Sequence, residues 1–219
     1  KYKLNFPNIN IHVIGGNNKG FSYVLNEIVQ YTLSKGERYF LFIDDDIWGV
    51  VDKKGHFVIT EEFLLEAQDI LNKNNYAQLG ISFEGHNWYA KNEVEENKAI
   101  WGMGFMDAKA INKIGGYDKN LILFSDYDIT AQLILNGYKV AVWNKYMFQH
   151  KMKSQEGGAM DFYRKDSLVK LQCDYLKNKY GDKCRIFFNT KHNIHEVRFY
   201  WNKLKLFSLN NKLKRLPLK

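Results

Sequence analysis

The stretch Tyr39-Phe40-Leu41-Phe42-Ile43-Asp44-Asp45-Asp46 decides the fold class of this chain. It begins with a continuous apolar run of strand length, which is typical of a strand buried on both faces of a parallel sheet. Three aspartates follow that strand, and in open α/β sheets the ligand crevice lies outside the carboxyl ends of the strands. The stretch therefore predicts a buried strand that brings acidic side chains to a binding crevice.

The aspartate triplet predicts a site for a divalent cation. Adjacent carboxylates repel one another, and Mg²⁺ or Mn²⁺ is usually held by one or two protein carboxylates together with substrate phosphates. Because alternate side chains of an extended chain point the same way, Asp44 and Asp46 could share one ion. A solvated acidic turn is the competing interpretation.

Helical and strand patterns alternate on both sides of this stretch. Residues 11–14 have strand character, and residues 21–29 have the apolar spacing of a helix. Further along, the sequence predicts helices over 60–72, 108–114, 125–137 and 159–180, and strands over 77–82, 100–106, 138–142 and 146–148. This order predicts an α/β domain with a mostly parallel sheet flanked by helices, and no repeat or linker divides residues 1–219.

Positive charge is concentrated in the last third of the chain, although the net charge of the whole is +8. Residues 151–219 hold 17 Lys and Arg against 6 Asp and Glu, a net +11, which leaves residues 1–150 at −3. Such an asymmetry is typical of a protein that meets a polyanion, either nucleic acid or an acidic membrane. A solvated lysine-rich surface is the alternative.

The composition excludes several classes of protein. The chain is 45% apolar, which is too apolar for disorder. It has no apolar run long enough for a membrane span and no signal-peptide pattern at its start. Cys173 and Cys184 fit neither a metal site nor a disulfide framework, so we expect packing residues in a reducing compartment. These features predict a cytoplasmic protein.

Asp126 and Asp128 stand at the start of a predicted helix that Ser125 could cap. The helix dipole favours negative charge there and would keep a carboxylate ionised. Helix capping alone would explain both residues. If Asp126 instead faces the crevice, it is a candidate general base for an attacking hydroxyl group.

Three further features are weaker signals. His150 follows an apolar strand, where a histidine is either a ligand or an ordinary packing residue. Gly157-Gly158, with Lys151 and Lys153 just before, predicts either a diphosphate-binding loop or a plain turn. Trp101-Gly102 would let an aromatic ring and bare backbone approach a ligand, although core packing uses the same residue types.

In this order the pieces resemble a nucleotide-sugar glycosyltransferase of the GT-A fold, a Rossmann-like α/β fold. The order is an Asp triplet, the Trp-Gly segment, Gly115-Gly116-Tyr117-Asp118, an acidic helix start and a terminal His. Within that fold, four segments of the chain resemble the family of TET-associated glycosyltransferases. They are Ser125-Asp126-Tyr127-Asp128-Ile129, Asn136-Gly137-Tyr138, Trp143-Asn144 and Gly157-Gly158. Ile43-Asp44-Asp45-Asp46-Ile47 is similar to that family's Asp-Asp-Asn signature.

The resemblance covers about residues 10–180, with a core of about 1–180 and a basic C-terminal segment over 181–219. It implies Mn²⁺ or Mg²⁺ on Asp44, Asp46 and His150, Asp126 as the base, and Asp128 beside it at the helix start. It also implies a donor site formed by Asp45, Trp101, Gly102, Lys151, Lys153, Gly157 and Gly158. The chain departs from the family in having Ser125 where an acidic residue usually precedes the base, and the first nucleotide-binding strand and helix are expected to be missing before Lys1.

The family is associated with phages and with glycosylation of hydroxymethylated pyrimidines in DNA from a UDP-sugar. The resemblance thus implies transfer from a donor such as UDP-glucose to 5-hydroxymethylcytosine. One alternative is a GT-A enzyme acting on a glycan, lipid or protein, and another is a non-catalytic nucleic-acid-binding protein. The candidate DNA contacts are the basic residues Lys203, Lys205, Lys212, Lys214 and Arg215.

Overall fold

The computed structural model describes residues 20–44, 46–83, 90–98, 100, 102–150 and 165–214, with side chains as far as residue 210. The predicted strand over 11–14 and the predicted helix start at 159 lie outside these residues. The helices are α1 Phe21–Ser34, α2 Glu61–Asn74, α3 Ala108–Lys113, α4 Ser125–Leu135, α5 Asp166–Tyr180 and α6 Trp201–Lys214. The strands are β1 Tyr39–Ile43, β2 Ile47–Asp52, β3 Tyr76–Phe83, β4 Val94–Glu96, β5 Met103–Asp107, β6 Lys139–His150, β7 Cys184–Asn189 and β8 Ile194–Phe199.

The main sheet has six strands and a mixed topology. Its order is β1-β5-β3-β6-β2, with β4 pairing with β6. Strand β3 runs parallel to β6, whereas the other described pairs are antiparallel. The α/β class is therefore confirmed, but the sheet is mixed where the sequence predicts a mostly parallel one. Because β1 and β3 both run antiparallel to β5, strands β1, β3 and β6 end at the same edge of the sheet.

The sheet curls so that its two end strands approach each other. Strands β1 and β2 are the ends of the strand order, yet only residues 44–46 connect them. In a flat sheet four strand spacings would separate them by about 19 Å, whereas these connecting residues reach about 14 Å at most. Register shifts in β2 and β6 accompany the curl, as β-bulges commonly do. The curl brings Asp44 and Asp46 across the carboxyl edge of the sheet.

Burial departs from the prediction at β1. Its side chains are half-buried and Ile43 is exposed, whereas β3 and β5 are buried along almost their whole length. The physical reason is position, because β1 is an end strand among the strands that the structure describes. The predicted strands over 138–142 and 146–148 also join into the single long strand β6.

The start of α4 also differs from the prediction. Phe124 is the N-cap, in the left-handed conformation, and no side chain caps the helix. Ser125 is instead the first helical residue and is buried. By contrast, Thr60 caps α2 as expected, accepting a hydrogen bond from the backbone N–H of Phe63 at 3.3 Å. Of the two predicted caps, Thr60 is therefore confirmed and Ser125 is not.

The described part of the C-terminal segment is folded against the body of the molecule. Strands β7 and β8 form an antiparallel hairpin, and α5, the hairpin and α6 contribute side chains to the same apolar cluster as α1 and α4. Both cysteines are buried free thiols in this cluster, which confirms their predicted packing role. None of the described helices has the length and apolar character that crossing a bilayer requires.

Candidate functional site

Asp44 and Asp46 lie between β1 and β2 at the carboxyl edge of the sheet. The backbone N–H of Asp44 donates to the carbonyl oxygen of Gly102 at 2.9 Å, which continues the β1–β5 ladder by one residue. The N–H of Ile47 donates to the carbonyl oxygen of Asp44 at 3.2 Å, so the chain turns here. The structure thus brings Asp44 beside the glycine of the predicted Trp-Gly segment.

His150 reaches the same turn from the far end of β6. The strand register places it opposite Ile47, the residue that follows the triplet. Its Nδ1 lies 4.0 Å from Oδ2 of Asp46, whose side chain is 45% exposed. The imidazole packs against Phe83, with ring centroids 4.8 Å apart. We call Asp46 and His150, together with Asp44 and Ile47, the edge cluster.

The edge cluster suits a metal ion in its donor chemistry. Among the described residues, Nδ1 of His150 has no hydrogen-bond partner although it is buried, and a buried polar atom in that state calls for an explanation. The 4.0 Å gap to Asp46 is too long for a hydrogen bond but short enough for both atoms to contact one cation. Within the described residues, which omit Asp45, no three His, Cys, Asp or Glu side chains converge on a metal position. Any ion here would need further ligands, such as substrate phosphates.

The glycines near this edge are used for packing. A Cβ at Gly102, where φ is +74°, would come within 2.8 Å of the Phe148 ring. A Cβ at Gly104 would come within 3.0 Å of both Gly80 and Ile100. Gly102 and Gly104 are thus closely packed, and Trp101-Gly102 stays a predicted donor-site segment.

Asp126 lies in the first turn of α4, toward the same edge. Helix α4 packs on the face of the sheet that carries Phe40 and Phe42, and the Thr130 hydroxyl donates to Oε1 of Gln78 in β3 at 3.0 Å. A short turn joins α4 to β6, so the helix runs opposite to β6 and its start lies toward the carboxyl edge. The start of α4, which carries Asp126, therefore lies toward the same carboxyl edge of the sheet as Asp44 and Asp46.

The surroundings of Asp126 make its carboxyl group unusually basic. Burial raises its pKa to about 6, against the lowering effect of hydrogen bonds from backbone N–H groups, including that of Tyr127. Burial and the Asp126 carboxylate together raise the pKa of Tyr127 to about 12, and they raise that of Tyr117 as well. A carboxylate with such a pKa is able to accept a proton near neutral pH.

Asp128 has a different environment from Asp126 and does not reach the edge. Its carboxylate is fully buried and accepts hydrogen bonds from Tyr180 Oη at 2.6 Å and Gln132 Nε2 at 2.6 Å. Lys179 Nζ lies 2.8 Å from Asp128 and 2.6 Å from Asp118. We call Asp118, Asp128, Lys179 and Tyr180 the buried cluster. It joins α5 to both ends of the segment over 118–128 and so fixes the start of α4.

The Gly115-Gly116-Tyr117-Asp118 motif has a structural explanation. Asn26 of α1 accepts from the N–H of Tyr117 at 2.8 Å and donates to its carbonyl oxygen at 2.9 Å. Gly116, where φ is +82°, has no room for a Cβ, because Oδ1 of Asn26 would lie 2.3 Å away. Sequence reasoning missed Asn26, Lys179 and Tyr180, because no local pattern marks a residue whose partner is 50 or more positions away.

Several predicted site residues lie outside the described part of the chain. These are Asp45, Trp101, Lys151, Lys153, Gly157, Gly158 and Arg215. Lys203 and Lys205 are half-exposed on α6, with carboxylate oxygens of Asp182 and Glu96 at 4.0 and 3.6 Å. Lys212 and Lys214 lie in the last turn of α6, beyond the described side chains.

Comparison with protein families supplies the identity. The family model of the TET-associated glycosyltransferases matches residues 1–159, well over half of the chain. The chain belongs to this family. It is therefore a glycosyltransferase. The edge cluster and α4 lie within the matched region, whereas α5, the β7–β8 hairpin and α6 follow it in the chain. A search of curated proteins finds no match.

Proposed function

We propose that this TET-associated glycosyltransferase uses Mn²⁺ or Mg²⁺ and a UDP-sugar, with UDP-glucose the first candidate. The proposed acceptor is the hydroxymethyl group of 5-hydroxymethylcytosine, or of another hydroxymethylated pyrimidine, in DNA. The observation that carries the proposal is the edge cluster, where Asp46 and the unpartnered Nδ1 of His150 meet in a member of this family. The family's association with TET supports a hydroxymethylated base as acceptor.

The reaction would be a displacement at the anomeric carbon of the sugar. The Asp126 carboxylate takes the proton of the hydroxymethyl group, and the freed oxygen attacks the anomeric carbon. The bond from that carbon to the diphosphate oxygen breaks, and UDP leaves with the electron pair. Because the reacting group lies on a stacked base, the nucleotide has to leave the helix before it can reach Asp126.

The proposed metal ligands are Asp44, Asp46 and His150. When bound there, the metal would neutralise the charge that builds up on the leaving diphosphate. Gly102 adjoins this turn, and the proposed donor site also includes Asp45, Trp101, Lys151, Lys153 and the Gly157-Gly158 loop. Their roles follow from the family resemblance.

The test is a transfer assay on DNA that contains 5-hydroxymethylcytosine. The enzyme is incubated with Mn²⁺ and a panel of UDP-sugars, and the nucleosides are then measured by intact mass. We expect a hexose- or pentose-sized gain that EDTA abolishes and that DNA with unmodified cytosine does not show. Metal-dependent hydrolysis of the UDP-sugar without transfer would overturn the DNA acceptor. DNA binding that is indifferent to metal and UDP-sugar, without turnover, would overturn the enzyme assignment.

A further inference from the structure

The β7–β8 hairpin carries two arginines directly opposite each other. Arg185 and Arg198 are paired in the strand register, and both are exposed. Like charges in directly opposed positions destabilise a strand pair. Among the ion pairs of the described residues, none includes either arginine. The repulsion between the two arginines is therefore not neutralised by a carboxylate among the described residues.

An aromatic ring holds the two guanidinium groups in place. Their Cζ atoms lie 5.9 Å (Arg185) and 5.1 Å (Arg198) from the centroid of the half-buried Phe187 ring. Cation–π attraction orders both groups without neutralising either. Glu196, the carboxylate on the same face of the hairpin, accepts instead from Asn189 Nδ2 at 2.6 Å. The result is a surface on which two positive charges lie over one aromatic ring.

The position of this site connects it with the candidate base. Arg198 directly precedes Phe199, and the Phe199 ring stacks on Tyr127 with centroids 6.1 Å apart. Tyr127 is the residue that follows Asp126. Because Cys184 pairs with Phe199, the arginine pair lies at the end of the hairpin nearest the start of α4. The arginines face outward from there, since neighbouring side chains of a strand point to opposite faces.

We propose that the surface formed by Arg185, Phe187 and Arg198 binds the phosphate backbone of the acceptor DNA beside the nucleotide that enters the site. The inference rests on the proposed function, which supplies DNA as the acceptor. Guanidinium groups bind phosphate oxygens through paired hydrogen bonds, and an arginine already ordered by an aromatic ring loses little freedom on binding. Backbone contacts of this kind hold DNA in position without reading its sequence.

The experiment measures equilibrium DNA binding over a series of NaCl concentrations, without sugar donor. The probe is a fluorescent duplex that contains 5-hydroxymethylcytosine, followed by anisotropy. For the double variant Arg185→Gln/Arg198→Gln, we expect the slope of log Kd against log salt to fall in magnitude by about 2, roughly one for each lost phosphate contact. Phe187→Leu keeps both charges, so we expect weaker binding with an unchanged slope.

The matched control is Lys53→Gln/Lys54→Gln, which removes two exposed positive charges from the turn after β2. An unchanged slope in the arginine variant, or an equal change in the lysine control, would overturn the inference. So would binding to vesicles of anionic phospholipid that depends on the arginines while DNA binding does not. Because the assay needs no turnover, a failure of sugar transfer with the expected slopes would count against the proposed function alone.

Discussion

Aspartates have opposite roles in the edge cluster and in the buried cluster. In the buried cluster, the carboxylate of Asp128 is fully enclosed and bonded to Tyr180, Gln132 and Lys179. In the edge cluster, Asp46 is half-exposed, and in the part of the chain that the structure describes Nδ1 of His150 has no hydrogen-bond partner. A carboxylate whose bonding capacity is used inside the protein stabilises the fold. A cluster whose polar atoms keep unused hydrogen-bonding or metal-binding capacity is able to bind a ligand.

The largest effect is expected from Asp128→Ala. Removing this carboxylate takes a fully buried partner from Lys179, which keeps Asp118, and from Tyr180, whose hydroxyl keeps the Asp128 carbonyl oxygen. The free energy of unfolding should therefore fall by about 3 kcal/mol. Urea denaturation followed by circular dichroism measures the change. The control Asp174→Ala breaks an exposed pair with Lys170 on α5 and should cost less than about 0.5 kcal/mol. Equal losses in the two variants would break the distinction between buried and exposed clusters.

Asp46→Ala should reduce activity and leave stability almost unchanged, which is the reverse of Asp128→Ala. Turnover of the UDP-sugar should fall at least about a hundredfold, because the metal position loses a ligand. The free energy of unfolding should change by less than about 0.5 kcal/mol, since the side chain is half-exposed. Initial rates and urea denaturation on the same preparation give both numbers. Asp69→Ala, another exposed aspartate, is the control, and full activity in Asp46→Ala would remove the edge cluster from the mechanism.

His150→Phe separates metal binding from packing. A phenyl ring keeps the contact with Phe83 and removes the unpartnered buried nitrogen, so stability should be equal or higher. The dissociation constant for Mn²⁺, measured by calorimetry with UDP present, should rise about ten- to a hundredfold. If Mn²⁺ binding is unchanged, His150 is only a packing residue and the unused nitrogen has no role.

The pH profile tests whether Asp126 differs from Asp128 in function as well as in environment. An acid whose pKa is raised is protonated, and unable to act as a base, over a wider range of low pH. Because burial brings the pKa of Asp126 to about 6, kcat/KM should fall about tenfold per pH unit below that value and level off above it. Asp126→Asn should lose activity at every pH. A profile without this break would exclude Asp126 as the base.

The smallest effects are expected on α6. Lys203 and Lys205 have carboxylate oxygens at 4.0 and 3.6 Å, so their charges are already partly neutralised, unlike those of Arg185 and Arg198. Lys203→Ala and Lys205→Ala should each change the free energy of unfolding by less than about 0.5 kcal/mol. Each should also reduce the salt slope of DNA binding by less than one. A larger reduction would make α6, and not the hairpin, the main contact.

Much of the fold could be predicted because local patterns carry it. The apolar run over 39–43 is strand β1, Thr60 caps α2, and the helices over 108–114 and 125–137 are present within a few residues of their predicted bounds. The curl and the antiparallel position of β5 could not be predicted in this way. They depend on which strands pair, and pairing joins residues that are far apart in sequence.

The sequence by itself determined the acidic turn at a strand end, the acidic start of α4 and the family. Only the tertiary structure decided that the register of β6 puts His150 beside Asp46. It also decided that Asp126 and Asp128 have different hydrogen-bond partners. Two positions apart on a helix, these aspartates look equivalent in sequence but face different surroundings. Helix α5 packs over Asp128 and supplies Lys179 and Tyr180 as partners, whereas the described residues give the Asp126 carboxylate backbone hydrogen bonds only. The physical reason is that secondary-structure propensity depends on residues that are neighbours in the chain. The desolvation and hydrogen bonding of a side chain depend instead on what packs against it in the folded protein.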